Sequence, residues 1–365
     1  MSTSFNFPKF PSGKPSLHTE LRARIQQYFD KKGIPSTGNI KLYSKAIILS
    51  VTLLAVYTHL VFFTPPIYIA IPECGLLGII IASVGFNIMH DGGHGSFSSK
   101  KGWNKFAAWT INFLGANNFM WNMKHNIIHH SYTNIHGVDD DIEVDGMMRF
   151  APTQEHKNIH KFQHVYFWFL YSLLYIWWVF FTDYKKYFRQ KVGDVPLKKM
   201  ELKNHIDFWA SKLMHAVMFM VVPIIVCGPL AWLIGFLVMG AVAGLALSIV
   251  FQLAHAVPHT DFLMPEDESN KMPDEFAVHQ LKTTANFAMN NKVIGWLVGG
   301  LNYQVEHHLF PKVSHIHYPA ISKIVQQVCK EYNIPYLSYP TMREAIVEHV
   351  RFLKAMGKAP QLAMA

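Results

Sequence analysis

Four apolar stretches set the terms for this chain: Ala46–Phe63, Ile67–Met89, Leu213–Cys227 and Leu230–Leu253. Crossing a bilayer takes about 20 residues of apolar helix, within a range of roughly 17–25. Lipid offers the backbone no hydrogen-bond partner, so such stretches must be helical. The third is short and contains Pro223, which leaves its ends open. Two further segments, Phe106–Trp121 and Val165–Phe181, are apolar but ambiguous, and the second is dense in the aromatics that favour a membrane–water boundary. Only 16% of residues are charged, against about a quarter in soluble domains. The mean hydropathy of +0.13 is nevertheless too low for a chain made only of spans. A membrane anchor with a large polar portion is expected.

Lysine and arginine give the expected sidedness. Eight lie in residues 1–45, seven in 90–164, eight in 182–212 and ten after 254, which accounts for all 33. The connectors Thr64–Pro66 and Gly228–Pro229 carry none. Cytoplasmic loops collect Lys and Arg, so all four blocks and both termini are expected on the cytoplasmic side. That requires two membrane hairpins. Phe106–Trp121 and Val165–Phe181 then lie in the interface or dip without crossing, since either one crossing alone would split the basic blocks. The fold expected is an all-α integral membrane protein: four transmembrane helices in two hairpins plus a cytoplasmic helical cap. Residues 1–45 form a cytoplasmic N-terminal region, 46–311 the membrane domain and 312–365 C-terminal helices packing on the cap.

The net charge of +9 suits anionic lipid or an acidic partner. Basic residues arranged around spans argue against nucleic acid. Met1–Phe10 has no apolar core before a small-residue cleavage site, so no signal peptide is expected. Leu17, Leu21, Ile25 and Phe29 predict an amphipathic helix ending at Gly33, packed on the body of the protein rather than on lipid. Thr341 and Glu344 have the spacing of a capping box. Three cysteines exclude a disulfide scaffold and any multi-cysteine metal site, and Cys74 and Cys227 read as isolated apolar residues.

Histidine is the outlier, at 21 of 365 residues. Three clusters stand out: His90-Asp-Gly-Gly-His94, His125-Asn-Ile-Ile-His129-His130 and Gln304-Val-Glu-His307-His308. Residues four apart share a helix face, so His90 with His94, and His125 with His129, are each expected to address one point. His130 points about 100° away from His129 and serves a second point. His307 and His308 split likewise. So many ring nitrogens exceed the four ligands of a structural zinc and point to two metals. Imidazole alone leaves iron, zinc, copper and nickel open. No Glu-x-x-His, the motif of the carboxylate-bridged di-iron bundles, occurs in the chain. Ligating imidazoles donate their second N–H to a carboxylate or carbonyl, for which Asp91, Glu306 and the run Asp139, Asp140, Asp141 with Glu143 are candidates, a solvated acidic turn being the plainer reading of that run. His136, His156, His160, His164, His315 and His317 lack ligand spacing and are expected to be non-ligands.

HDGGH, HNIIHH and QVEHH, with these spans between them, resemble the histidine boxes of the membrane fatty acid desaturases, over Ala46 to Pro311. Gln304 at the head of the third box, within Gly299–Pro311, resembles the front-end branch of that family. No His-Pro-Gly-Gly occurs, so the likeness is to stand-alone bacterial and cyanobacterial members without a fused b-type cytochrome domain. The resemblance implies two non-haem iron ions and no bound haem or flavin. The ligands it implies are His90, His94, His125, His129, His130, His307 and His308, joined by His255 at the end of the last span. His259 is a weaker position, and Gln304 either ligates or orients. It also implies O2 as co-substrate, a buried acyl tunnel, and a fatty acyl-CoA or acyl-lipid substrate of linoleoyl type. A separate electron donor would be a ferredoxin, a rubredoxin or a b-type cytochrome system. The product is a cis double bond; a membrane di-iron hydroxylase or monooxygenase is the alternative.

Overall fold

The computed structural model describes residues 5–12, 16–266 and 269–358. Residues 1–4, where the segment read above as lacking a signal peptide begins, lie outside that set. Helix α1 (Leu17–Lys32) precedes a long hairpin of α2 (Ile40–Phe63) and α3 (Ile67–His94). Then come α4 (Lys101–Phe113) and α5, which starts as Asn118–Trp121 and runs on as a π-helix over Asn122–His129. Helix α6 (Asn158–Arg189) leads to a second hairpin, α7 (Leu202–Cys227) and α8 (Pro229–His255). Between α6 and α7 lies a two-residue antiparallel ladder, β1 (Lys191–Val192) on β2 (Val195–Pro196). Beyond α8 lie α9 (Phe276–Thr283), α10 (Lys292–Leu297), α11 (Gln304–Leu309), α12 (Tyr318–Glu331) and α13 (Met342–Met356). Here β3 (Asn286–Phe287) pairs in parallel with β4 (Ser338–Tyr339).

Among the described residues, five helices are long and apolar enough to cross a membrane: α2, α3, α6, α7 and α8. Four of them contain the expected spans, and they turn large apolar side chains outward, such as Ile47 and Leu54 on α2 and Leu230 and Leu237 on α8. The fifth departs from expectation. Val165–Phe181, read as a non-crossing segment, is absorbed into the 32-residue α6 and meets the length and hydropathy of a span. The reason is local: no Gly or Pro between Asn158 and Arg189 stops the helix. Its two ends nevertheless attach to one loop. His160 Nε2 donates to the Gly146 carbonyl at 3.0 Å, while Lys185 Nζ reaches the Asp145 carboxylate at 2.9 Å and Lys186 Nζ reaches Asp140 at 3.0 Å. A straight helix over that length would run about 38 Å. Helix α6 therefore bends, with a π-helical turn at Trp178–Thr182 inside the arc.

Helix α1 packs against helices from beyond α8. The buried face of α1 (Leu17, Leu21, Ile25, Phe29) packs on Leu281 of α9, Leu309 of α11 and Val325 of α12. Each such side chain contributes about 1.5–3 kcal/mol on burial. The helix thus packs on the protein body, as its spacing predicts. The capping box forms as well: Thr341 Oγ1 accepts from Glu344 N–H, and the Glu344 carboxylate accepts from Thr341 N–H, each at 3.1 Å.

One buried turn decides where α5 sits. At the end of α4, three consecutive carbonyls would be stranded among apolar helices, at a cost of about 1–3 kcal/mol each. His215 Nδ1 donates to Phe113 O at 3.1 Å, Tyr175 OH to Leu114 O at 2.9 Å and Lys212 Nζ to Gly115 O at 2.7 Å. Lys212 in turn pairs with Asp183 at 2.7 Å, both side chains being buried. Helices α6 and α7 thereby fix the chain that enters α5.

Candidate metal centre

The first histidine pair ends α3. His90-Asp-Gly-Gly-His94 is its last turn, and the two glycines let the turn pack flush against its neighbours. A Cβ on Gly92 would stand 2.4 Å from the Ala108 nitrogen of α4, and one on Gly93 2.2 Å from the Trp121 ring of α5. His90 and His94 consequently face the second cluster. His255 ends α8, and His307 and His308 lie within the short, fully buried α11.

The eight histidines converge as two groups. His90, His94, His125, His130 and His307 bring one ring nitrogen each to within 4.8 Å of one another, and so do His129, His255 and His308. His307 and His308 split as their adjacency predicts. The second cluster divides otherwise than expected: His125 pairs with His130, and His129 addresses the other point. Helix α5 is a π-helix here, with His130 N–H bonded to His125 O at 3.0 Å. Closure at i+5 rather than i+4 moves the shared face by one residue. The Nε2 atoms of His125 and His130 stand 3.1 Å apart, and those of His90 and His125 3.2 Å. His125 and His129 also come together with Asp141.

The chemistry of the donors fits a metal. Four rings have Nδ1 on a built acceptor: His129 on Asp139 at 2.9 Å, His255 on Thr283 O at 3.2 Å, His307 on Tyr318 OH at 3.1 Å and His308 on Gln280 Oε1 at 2.9 Å. This fixes the tautomer with the lone pair on Nε2. Those four Nε2 atoms, and that of His94, are buried with no hydrogen-bond partner among the described residues. Orphaned acceptors facing one another are costly unless a cation holds them. Burial, and then the neighbouring rings, hold His125, His130, His307 and His308 well below the usual imidazole range, hence neutral and able to ligate. His129 differs. Burial pulls it down, but Asp139 outweighs that and raises its pKa.

Of the acidic candidates, only Asp139 makes a close hydrogen bond to a box imidazole. Asp141 stands 3.7 Å from His129 and pairs with Lys124 at 2.6 Å. Asp140 is taken by Lys186, and Asp91 by Ser314 Oγ at 2.7 Å and His315 Nδ1 at 3.0 Å. Glu306 accepts from Tyr336 OH at 2.8 Å and Asn286 Nδ2 at 2.9 Å; burial pushes its pKa up to about 7 against those bonds. Their alternative partners explain why these four do not orient a ring of the two histidine groups. Gln280, Thr283 and Tyr318 do so instead and carry no signal in the sequence. Gln304 is buried at the head of α11, one turn before His308. His259 is exposed and stands outside both groups, as do His136, His156, His160, His164, His315 and His317. At the opposite end of the two hairpins, an apolar cavity of about 370 Å³ is lined by Tyr57, Cys74, Leu77, Phe219, Cys227, Trp232 and Met239, among others. Its lining stops at Leu77 and Met239, well short of His90 and His255, and both cysteines are free thiols.

The fatty acid desaturase family profile matches residues 64–340, a stretch holding all eight histidines. The chain belongs to the fatty acid desaturase family. Across 95% of its length it is 37% identical to the sn-1 linoleoyl-lipid 6-desaturase of Synechocystis sp., covering 97% of that protein. It is 34% identical to the enzyme of the same name from Arthrospira platensis, with 94% and 93% of the two chains covered. An acyl-lipid (8-3)-desaturase of Physcomitrium patens is 33% identical over 92% of this chain and 71% of its own. The protein is thus a desaturase, an oxidoreductase of lipid metabolism, and the desaturase places His90, His94 and His255 where two of its apolar helices end.

Proposed function

We propose that this desaturase is an O2-dependent front-end enzyme that introduces a cis double bond at carbon 6 of a linoleoyl chain carried on a glycerolipid, using two iron ions and an external electron donor. The observation that carries this reading is the convergence of eight histidines in a five and a three, in a chain similar over almost its whole length to two linoleoyl-lipid 6-desaturases. His90, His94, His125, His130 and His307 would hold one ion, and His129, His255 and His308 the other. Gln304, one turn before His308 on the same helix face, would be a further contact for the second or for its water. Bound there, the ions supply the activation of O2 for removal of two hydrogens from adjacent methylenes. The balance is –CH2–CH2– + O2 + 2 electrons + 2 protons giving –CH=CH– + 2 water.

The chain's own part is positional. Asp139, the Thr283 carbonyl, Tyr318 and Gln280 keep the proton on Nδ1 of four rings and aim Nε2 inward. Thr133 Oγ1 donates to Gln280 Oε1 at 3.0 Å, and Gln280 Nε2 donates to His130 O at 3.2 Å, tying the three-histidine side to the five. Burial excludes water from the reacting carbons.

The topology that suits this reading keeps the two-hairpin arrangement with the active site and both termini cytoplasmic, and 46–311 as the membrane domain between end regions 1–45 and 312–365. Two observations support it. Helix α1, before the first span, packs on α9, α11 and α12, after the last, so an even number of crossings separates them. Both ends of α6 bond to the 140–146 loop, so α6 is the candidate that dips and returns.

The test is gas chromatography–mass spectrometry of fatty acids from bacteria expressing the protein with a ferredoxin system and fed linoleate, with lipid classes separated. A 6,9,12-triene appearing first in glycerolipid is the expected result. Hydroxy acids would move the reading to a hydroxylase, and a triene appearing first in the acyl-CoA pool would move the substrate.

A further inference from the structure

We propose that the lysine-rich face built from residues 31–41, 95–101 and 311–317 is the docking surface for an acidic one-electron carrier protein. This rests on the desaturase reading, whose balance takes two electrons from outside the substrate. The carrier is oxidised twice per turnover, one electron each time, and the two protons come from solvent.

Three segments distant in sequence are stitched into this face. Ser314 N–H donates to Ser36 O at 2.9 Å, His317 Nε2 meets Thr37 O at 3.2 Å, Gly38 N–H donates to Ser96 O at 2.8 Å and Tyr43 OH reaches Ser98 Oγ at 3.3 Å. Lys31, Lys32, Lys41, Lys100, Lys101 and Lys312 are all exposed on these segments, which contain no Asp or Glu. None of the six makes an ion pair among the described residues. A cluster of one sign steers an oppositely charged partner over distance.

The face also stands over the histidines. Its middle segment continues directly from His94, and Lys312 follows His308 by four residues. Ser314 and His315 bind the carboxylate of Asp91, the neighbour of His90. Lys41, Lys100 and Lys101 open α2 and α4, where lysines also meet lipid head groups. Lys31 and Lys32 end α1, and Lys312 lies between α11 and α12, elements that are not themselves spans; a protein partner accounts for all six.

The test uses the full chain in nanodiscs of phosphatidylcholine or phosphatidylglycerol, with a plant-type [2Fe–2S] ferredoxin as the acidic probe and dithionite–methyl viologen as a small reductant. In Lys31→Glu/Lys32→Glu and in Lys312→Glu, the KM for ferredoxin should rise by about tenfold. The KM for lipid substrate and the viologen-driven rate should stay at wild-type values. Added salt should raise the wild-type KM for ferredoxin more than that of the variants. An unchanged KM for ferredoxin in both variants overturns the proposal, as does an effect confined to phosphatidylglycerol discs, which assigns the lysines to lipid. Wild-type protein that yields no unsaturated product with either reductant overturns the desaturase reading itself.

Discussion

Asp139→Asn separates the two histidine groups experimentally. The Asp139 carboxylate is fully buried and accepts three N–H bonds: His129 Nδ1 at 2.9 Å, Asn134 N at 3.0 Å and Asp141 N at 3.1 Å. Asparagine keeps the shape but loses the charge and turns one acceptor into a donor, so whichever way the amide is set, an N–H faces an N–H. The loss of a charge-assisted bond behind His129 costs about 1.5–3 kcal/mol, which is about 10–100-fold in metal affinity. That loss falls on the three-histidine group alone, because none of the five other rings contacts Asp139. Elemental analysis of purified protein through a timed chelator challenge reads it directly. Wild type should retain two irons per chain while the variant falls toward one, with product formation falling in step. Loss of both irons together, or wild-type retention of both, would refute the division into five and three.

His129→Ala and His307→Ala, one from each group, should each abolish the double bond while the chain still fractionates with membranes; full turnover in either removes that histidine from the site. Gly93→Ala would place a methyl 2.2 Å from the Trp121 ring, costing about 1–3 kcal/mol in thermal stability, and Trp121→Leu in the same chain should recover part of it. Burial lowers the His349 pKa to about 4, opposed by its bond to Ala256 O, below the ordinary imidazole value near 6.5. The unfolded chain therefore binds the proton first as pH falls: this stability is full above pH 6.5 and is lost progressively toward pH 4. Melting curves of His349→Asn should fall less steeply than wild type across that window, and parallel curves would refute the assignment.

The sequence shows the spans and the boxes because both are written in local pattern. Four apolar stretches of membrane length became four helices, and paired histidines at helix ends converged. The division of HNIIHH was not legible, since a π-helix and an α-helix share one residue string and differ only in which carbonyl each N–H meets. Gln280, Thr283 and Tyr318 were hidden for another reason: they reach the histidines from remote segments, and Thr283 does so through a carbonyl that every residue possesses. The acidic run looked equivalent by composition, yet Lys124 and Lys186 take Asp141 and Asp140 and leave Asp139 for His129. Helix α6 outgrew its expected bounds because aromatic content speaks of the interface but does not end a helix.

The partition of histidines also sets an order of assembly during synthesis. Once His130 has been made, four members of the five-histidine group exist, but only His129 of the three. Roughly 180 residues separate His130 from His308, and ribosomes add about 5–20 residues per second. For some 10–35 seconds the nascent chain therefore carries four members of one nest of imidazoles, while the other holds His129 alone until His255 is made about 125 residues later. The fuller nest is open to whichever divalent ion the cell leaves free, in an affinity order that does not favour iron. The other comes together only after α8 and α11 have been made, because they carry His255 and His308.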